Sequence, residues 1–227
     1  MATYNGQKYI KRQLESILFQ LSDQDEVVVS DDKSTDKTLY IISQINDKRI
    51  RVSTNIGKQG PMSNFEQALK KATGAFIFLA DQDDIWLPNK VEKTLKLLMF
   101  NDLVLSDCTV VDGHETILYD SFFRKRGSKK GFWYNLYKNS YIGCCMAFKR
   151  EVLSYALPFP AHVHMHDWWI GLMVEAKGRV YFNTEPLISY VRHGNNASPT
   201  GELGYSITQK IKNRAVLSYY VAKRLLL

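Results

Sequence analysis

No run of apolar residues in this 227-residue chain reaches the roughly 18 that a membrane-crossing helix needs, so none is expected. A secretory leader is not visible either: Met1 runs straight into the polar stretch Thr3-Tyr4-Asn5-Gly6. Cysteine is scarce, with Cys108, Cys144 and Cys145 alone. An odd number containing an adjacent pair is a poor disulfide framework and matches no metal-ligand spacing. A reducing, cytoplasmic setting is therefore expected. Internal repeats and low-complexity tracts are absent, which argues against a repeat array. No G-x-G-x-x-G follows an early strand, which argues against a dinucleotide oxidoreductase. Asp81-Gln82-Asp83 continues as Asp84-Ile85, which disfavours a phosphatase of the D-x-D-x-T kind.

What is present is ordinary globular material. Hydrophobic residues make up 45% and charged residues 23%, so one domain with a sizeable core is expected. The net charge of +7 admits an anionic substrate, an anionic membrane surface or nucleic acid, or simply a solvated basic face. Two clusters concentrate it: Arg124-Lys125-Arg126 with Lys129-Lys130, and the stretch from Lys210 to Arg224.

The first half alternates helical and strand patterns. Ile10, Leu14, Ile17, Leu18 and Leu21 fall on one helical face, and Glu26 to Ser30 reads as a buried strand. Asp36 can cap a helix bearing Leu39, Ile42 and Ile45. Ile50 to Ser53 is a short strand, Met62, Phe65 and Leu69 line a helix, and Ala75 to Ala80 is a continuous apolar strand. Pro88 opens a helix with Val91, Leu95 and Leu98, and Leu103 to Ser106 is a strand. This alternation predicts an α/β fold on a mostly parallel sheet. No apolar strand precedes Met1-Ala2-Thr3, so the first strand is expected to be nearly absent, or the chain to begin late. The second half is less regular. Tyr141 to Phe148, Arg179 to Phe182 and Leu187 to Val191 read as strands, and Trp168 to Glu175 as a helix. The last twenty residues read as a basic amphipathic helix.

Ligands of open α/β sheets bind beyond the carboxyl ends of the strands. Three acidic groups fall at strand ends or in a late loop. Asp31-Asp32-Lys33-Ser34-Thr35-Asp36 follows Val27-Val28-Val29, where a carboxylate can accept hydrogen bonds from a base or a ribose. The same residues also suit a turn and a helix cap. Asp81-Gln82-Asp83-Asp84 follows the apolar strand, and carboxylates so crowded call for a counter-charge such as Mg²⁺ or Mn²⁺. In Met165-His166-Asp167-Trp168-Trp169, Asp167 is either a helix cap or a general base. Its tryptophans either wall a sugar site or belong to the core.

Taken in order, these groups resemble family 2 glycosyltransferases over nearly the whole chain. Met1-Ala2-Thr3-Tyr4-Asn5-Gly6 is similar to the family's opening nucleotide loop, which implies nucleotide contacts for Ala2 and Tyr4. Asp31 and Asp32 match the D-D-x-S-x-D segment, with Asp32 at the base-contacting position. Asn55-Ile56-Gly57 with Asn64-Phe65 and Ala68 resembles the segment running past the nucleotide. Phe78 to Pro88 resembles the D-x-D region, implying Asp81 near the donor and Asp83 as metal ligand. Gly143 to Phe148 resembles the acceptor-side strand. His166-Asp167-Trp168 is similar to the E-D-type motif with His for Glu, which implies Asp167 as base and His166, Trp168 and Trp169 at the acceptor. Tyr190-Val191-Arg192-His193-Gly194-Asn195-Asn196 matches a loop near the diphosphate, with Arg192 on phosphate and His193 on the metal.

The resemblance implies a GT-A fold. Residues 1–110 are expected as its nucleotide-sugar-binding half, 111–205 as its acceptor-binding and catalytic half, and 206–227 as the tail helix. It implies an inverting transfer of one sugar from a nucleotide-diphosphate sugar to a glycan or polyprenol-linked acceptor, and no nucleic-acid partner. No Q-x-x-R-W motif of processive members is present. M-H-D-W with R-H-x-N-N most resembles bacterial rhamnosyltransferases of cell-wall and capsule polysaccharides, which implies a dTDP-L-rhamnose donor. A UDP-hexose donor and a catalytically impaired sugar-nucleotide binder are the alternatives. A phosphoacceptor receiver shares an early acidic pair but has no use for His166-Asp167-Trp168. His162, His164 and His166 alternate, and are read as structural more than as a zinc site. The tail helix carries Ile207, Ile211, Ala215 and Tyr219 on one side near Lys210, Arg214, Lys223 and Arg224. Peripheral association with the cytoplasmic leaflet is expected of it.

Overall fold

The structure is a computed structural model and describes residues 1–193 and 206–226. Gly194, Asn195 and Asn196 of the late motif lie outside the described residues. In chain order the elements are β1 (Ala2–Thr3), α1 (Ile10–Leu18), β2 (Val27–Asp31), α2 (Thr38–Ile45), β3 (Ile50–Thr54) and α3 (Pro61–Lys71). There follow β4 (Phe76–Phe78), β5 (Ile85–Trp86), α4 (Lys90–Leu98), β6 (Leu103–Asp112), β7 (Ile117–Tyr119), α5 (Phe122–Arg126) and α6 (Phe132–Tyr137). The last are β8 (Met146–Lys149), α7 (Leu153–Ala156), α8 (His166–Lys177), β9 (Val180–Arg192) and α9 (Ile207–Leu226).

Strands β1, β2 and β3 form a parallel sheet in that order, with Thr3 opposite Asp31 and Asp31 opposite Thr54. The first strand is thus present as two residues. The second sheet runs β4-β8-β6-β9-β5, with β7 on β6. In it β6 and β9 pair in parallel, while β4–β8, β6–β8, β5–β9 and β6–β7 are antiparallel. The α/β class is as expected, and the parallel sheet is confined to the opening β–α–β units. Strands β8 and β9 enter from the less regular second half, where no regular β–α–β repeat sets a common direction.

Burial follows the apolar pattern. Ile10, Leu14 and Ile17, spaced by four and three residues, are the buried stripe of α1. β6 is buried at nearly every position because strands flank it and helices cover it. The division expected between residues 110 and 111 falls inside β6, and β8 and β9 fill the same sheet as β4 and β5. The two chain halves therefore share one sheet and do not separate as layers.

Candidate active site

Asp31 and Asp32 end the parallel sheet, and their neighbours separate their roles. Asp31 is fully buried and accepts from Thr3 Oγ1 (2.9 Å), Ser34 Oγ (2.6 Å) and Ser34 N (2.7 Å). These three bonds tie β1 to the turn. Asp32 accepts from Asn55 Nδ2 and from Gly60 N, both at 2.7 Å. A carboxylate takes about four hydrogen bonds, so acceptor capacity remains on Asp32. Gly60 holds φ at 128°, a conformation that favours glycine and lets the start of α3 close on Asp32. Asn64 donates to the Thr3 carbonyl (3.1 Å), and its buried Oδ1 has no partner among the described residues. Ala2 is half-buried in β1, and Tyr4 is exposed.

The acidic turn follows β4. Gln82, which no motif assignment marked, clamps the opening loop to it: Tyr4 N donates to Gln82 Oε1 and Gln82 Nε2 donates to the Tyr4 carbonyl, both at 2.9 Å. A side chain on Gly6 would run into Gln82. Buried Gln13 of α1 supports the turn from below, donating to the Asp81 carbonyl at 2.9 Å. Asp83 and His193 meet at 2.8 Å, and the His193 ring stacks on Tyr9 at 4.5 Å between centroids. The two residues expected to hold metal are therefore together, although 110 positions apart. Arg192 ends β9 half-buried, in register with Asp112.

Negative charge accumulates here. Burial pushes the Asp81 carboxyl up to about 7, with the charges of Asp83 and Asp167 adding to it. Asp84 is raised well above the usual range, first by burial and then by Asp83 and Asp81. One Asp84 oxygen accepts from Val191 N (3.1 Å), and the other is buried without a partner among the described residues. Ligand-capable atoms of Asp81, Asp84 and Cys144 lie within 4.8 Å of one another. Crowded carboxylates with raised pKa values and an orphaned oxygen fit a divalent cation. Sequence spacing pointed to Asp83, but the approach of Cys144 to Asp81 and Asp84 is visible only in three dimensions.

Asp167 lies in the first turn of α8, 8% exposed. It accepts from Trp168 N (2.7 Å) and from the backbone of Gly143, yet burial pushes its carboxyl up to about 6. Cys144, next to Gly143, lies within 4.8 Å of ligand-capable oxygens of Asp81 and Asp84, so the motif of the second half sits one residue away from the acidic turn of the first. His166 stacks on Phe65 at 4.0 Å, and burial lowers its pKa to about 3, leaving a neutral ring. A Cβ at Gly143 would meet His166 Nε2 at 3.0 Å, so a side chain there would press on the imidazole. Trp168 and Trp169 correct an expectation. They are 1% and 0% exposed, and their indole nitrogens donate to the carbonyls of Asn135 (2.7 Å) and Ala156 (2.8 Å). They are core residues that anchor α8 and present no face to an acceptor. His162, His164 and His166 approach different rings (Tyr220, Trp168 and Phe65) and do not converge on one point.

Comparison with known proteins places this geometry. A family model described as glycosyl transferase family 2 matches residues 1–156. The Escherichia coli protein named UDP-Glc:alpha-D-GlcNAc-diphosphoundecaprenol beta-1,3-glucosyltransferase WfgD is 31% identical over 77% of this chain and 67% of its own length. The Shigella flexneri protein named dTDP-rhamnosyl transferase RfbG is 27% identical over 93% of this chain and 76% of its own. Among solved structures, S. aureus TarS in complex with UDP-GlcNAc superposes with a TM-score of 0.72 at 19% identity, over 99% of this chain and 65% of TarS. Mannosyltransferase PcManGT from Pyrobaculum calidifontis, in complex with GDP-Man and Mn²⁺, gives 0.62 at 23% identity, over 98% of this chain and 62% of that one. The chain thus spans less than two thirds of either solved structure. At these identities the likeness bears on the fold, which is GT-A-like.

Proposed function

The chain belongs to glycosyl transferase family 2, and from that premise we propose that it moves a single sugar, with inversion, from a nucleotide-diphosphate sugar to a hydroxyl of a glycan or polyprenol-linked acceptor. The observation that supports this most is the bridge at Gly143-Cys144: the Gly143 backbone bonds the Asp167 carboxylate, and the adjacent Cys144 thiol lies within 4.8 Å of ligand-capable oxygens of Asp81 and Asp84. Asp32, with Asn64 and the opening loop at Ala2 and Tyr4, receives the nucleoside. Asp83 and His193 hold Mg²⁺ or Mn²⁺, with Asp81 and Asp84 beside them, and Arg192 faces the diphosphate. When bound, the cation offsets the charge of the diphosphate leaving group.

Asp167 takes the proton of the acceptor hydroxyl as that oxygen attacks the anomeric carbon. The bond to the diphosphate breaks on the opposite face through an oxocarbenium-like transition state. A carboxyl with a pKa near 6 is ionised at neutral pH and is a stronger base than a solvated aspartate. His166 is neutral and fixed on Phe65, so it lines the acceptor side without competing for the proton.

The donor is assigned as dTDP-L-rhamnose, in line with the late motifs and with the name of the 27%-identical relative. A UDP-hexose donor is the second reading, favoured by the name of the 31%-identical relative. The product belongs to surface-polysaccharide synthesis, and the reaction is placed at the cytoplasmic face of the membrane. Thermal-shift measurements with dTDP-rhamnose and UDP-glucose, each with Mn²⁺, test both readings. The true donor raises the melting temperature in a metal-dependent way, and Asp83→Ala removes the metal dependence. No shift with any nucleotide sugar would sink the proposal.

A further inference from the structure

We propose that α9, together with α6 and the loop before it, forms a docking face for an anionic lipid surface. This deepens the membrane placement above and rests on it. Residues 121–140 carry six Lys and Arg, residues 207–226 carry five, and neither stretch has a single Asp or Glu. The fold brings the two stretches together: Arg214 Nε donates to the Tyr137 carbonyl at 2.8 Å, and the Arg214 guanidinium lies over the Tyr137 ring. α9 is held to the domain by its other side. Leu217 and Val221 are buried, and Arg224 donates to the carbonyls of Tyr155, Leu157 and Pro158.

The opposite side of α9 repeats Ile207, Ile211, Ala215 and Tyr219 at four-residue spacing, all exposed and continued by Ala222 and Leu226. At 76% for Ile207, 63% for Ile211 and 88% for Leu226, this stripe is left exposed among the described residues. Lys212 and Lys223 run along its edge, exposed. Trp133 and Tyr137 of α6 add 79% and 74% exposed aromatic rings, with Lys129 and Lys130 just before them. An apolar stripe edged by lysines, beside exposed Trp and Tyr, is the pattern of a helix lying in a lipid interface. Nucleic acid would use the basic residues but leave Ile207, Ile211 and Leu226 in water. A second copy of this chain would set two basic faces against each other. Charge and apolarity together select the anionic bilayer.

Co-sedimentation with vesicles tests the face. The 227-residue chain should bind vesicles of phosphatidylcholine with about one third phosphatidylglycerol and ignore pure phosphatidylcholine, with release at high salt. Lys129→Glu, Lys130→Glu and Lys212→Glu combined should lower partitioning on the order of 100-fold, at about fivefold per charge near the surface. Trp133→Ala with Ile211→Ser, both at exposed positions, should weaken binding without altering the melting temperature. Equal binding to neutral vesicles, no binding to anionic ones, or unchanged binding by both variants overturns the proposal. So does tighter retention on duplex DNA at the same salt, or a dimer in light scattering that Ile211→Ser dissolves. Metal-dependent donor binding is read separately, so loss of the face leaves the transfer assignment standing, and the reverse.

Discussion

Asp167 carries two opposing demands at one residue. The start of α8 and two backbone donors favour its charge, while burial opposes it more strongly and raises its pKa to about 6. Transfer should therefore fall as pH drops through about 6, where the base becomes protonated. The folded pKa lies above the unfolded one, so stability falls as pH rises from about 4 to 6, and the penalty is complete above that window. Asp167→Asn is expected to lose transfer by at least about 100-fold. Above pH 6 it should be as stable as the parent, or more stable by up to about 3 kcal/mol. Urea denaturation at pH 5 and pH 8, beside a transfer assay, checks both; a variant that transfers normally is incompatible with the role. The pairing of His166 with Phe65 and its close approach to Gly143 were not readable at this scale. They depend on an approach between segments more than twenty residues apart.

At the scale of elements, hydrophobic periodicity located α1, α3 and β2 well, because one buried stripe or run defines each. It split β9 in two, since Pro186 and a polar centre interrupt the strand just where its pairing with β6 shifts register. The short α5, α6 and α7 escaped it, being too brief to show a period. The tryptophans of α8 were open to two readings, and packing chose the core. Trp169→Ala removes a fully buried indole and its bond to the Ala156 carbonyl, so it should cost about 3–5 kcal/mol. A denaturation midpoint close to that of the parent would contradict this. For the tail helix, sequence identified an apolar stripe, and structure decided that this stripe faces outward while Leu217 and Val221 face the core.

For the whole molecule, the candidate site belongs to neither sheet alone. Asp32 closes the parallel sheet, the acidic turn leaves β4 in the mixed one, and Gln82 joins the turn to the opening loop. A bound nucleotide sugar with Mn²⁺ should therefore slow amide exchange at residues 1–6, 31–34 and 81–84 together. Slowing confined to one sheet would show that the donor does not bridge them. Without ligand, the slowest amides should lie in residues 103–105 and 146–148, where β6 and β8 pair inside the core.

By itself the sequence determined the α/β class, the strand-end placement of Asp32 and Asp83, and the pairing of a motif at His166-Asp167 with the family. All of these are local, resting on periodicity and on residues adjacent in the chain. Tertiary structure alone decided which partners Asp31 and Asp32 take, and that Trp168 and Trp169 are core. It also decided that His193 reaches Asp83 and that Gln82 clamps the opening loop. The physical reason is the same in each case. Burial, desolvation and hydrogen-bond saturation are set by neighbours distant in the chain, and two residues alike in sequence take different roles once those neighbours arrive.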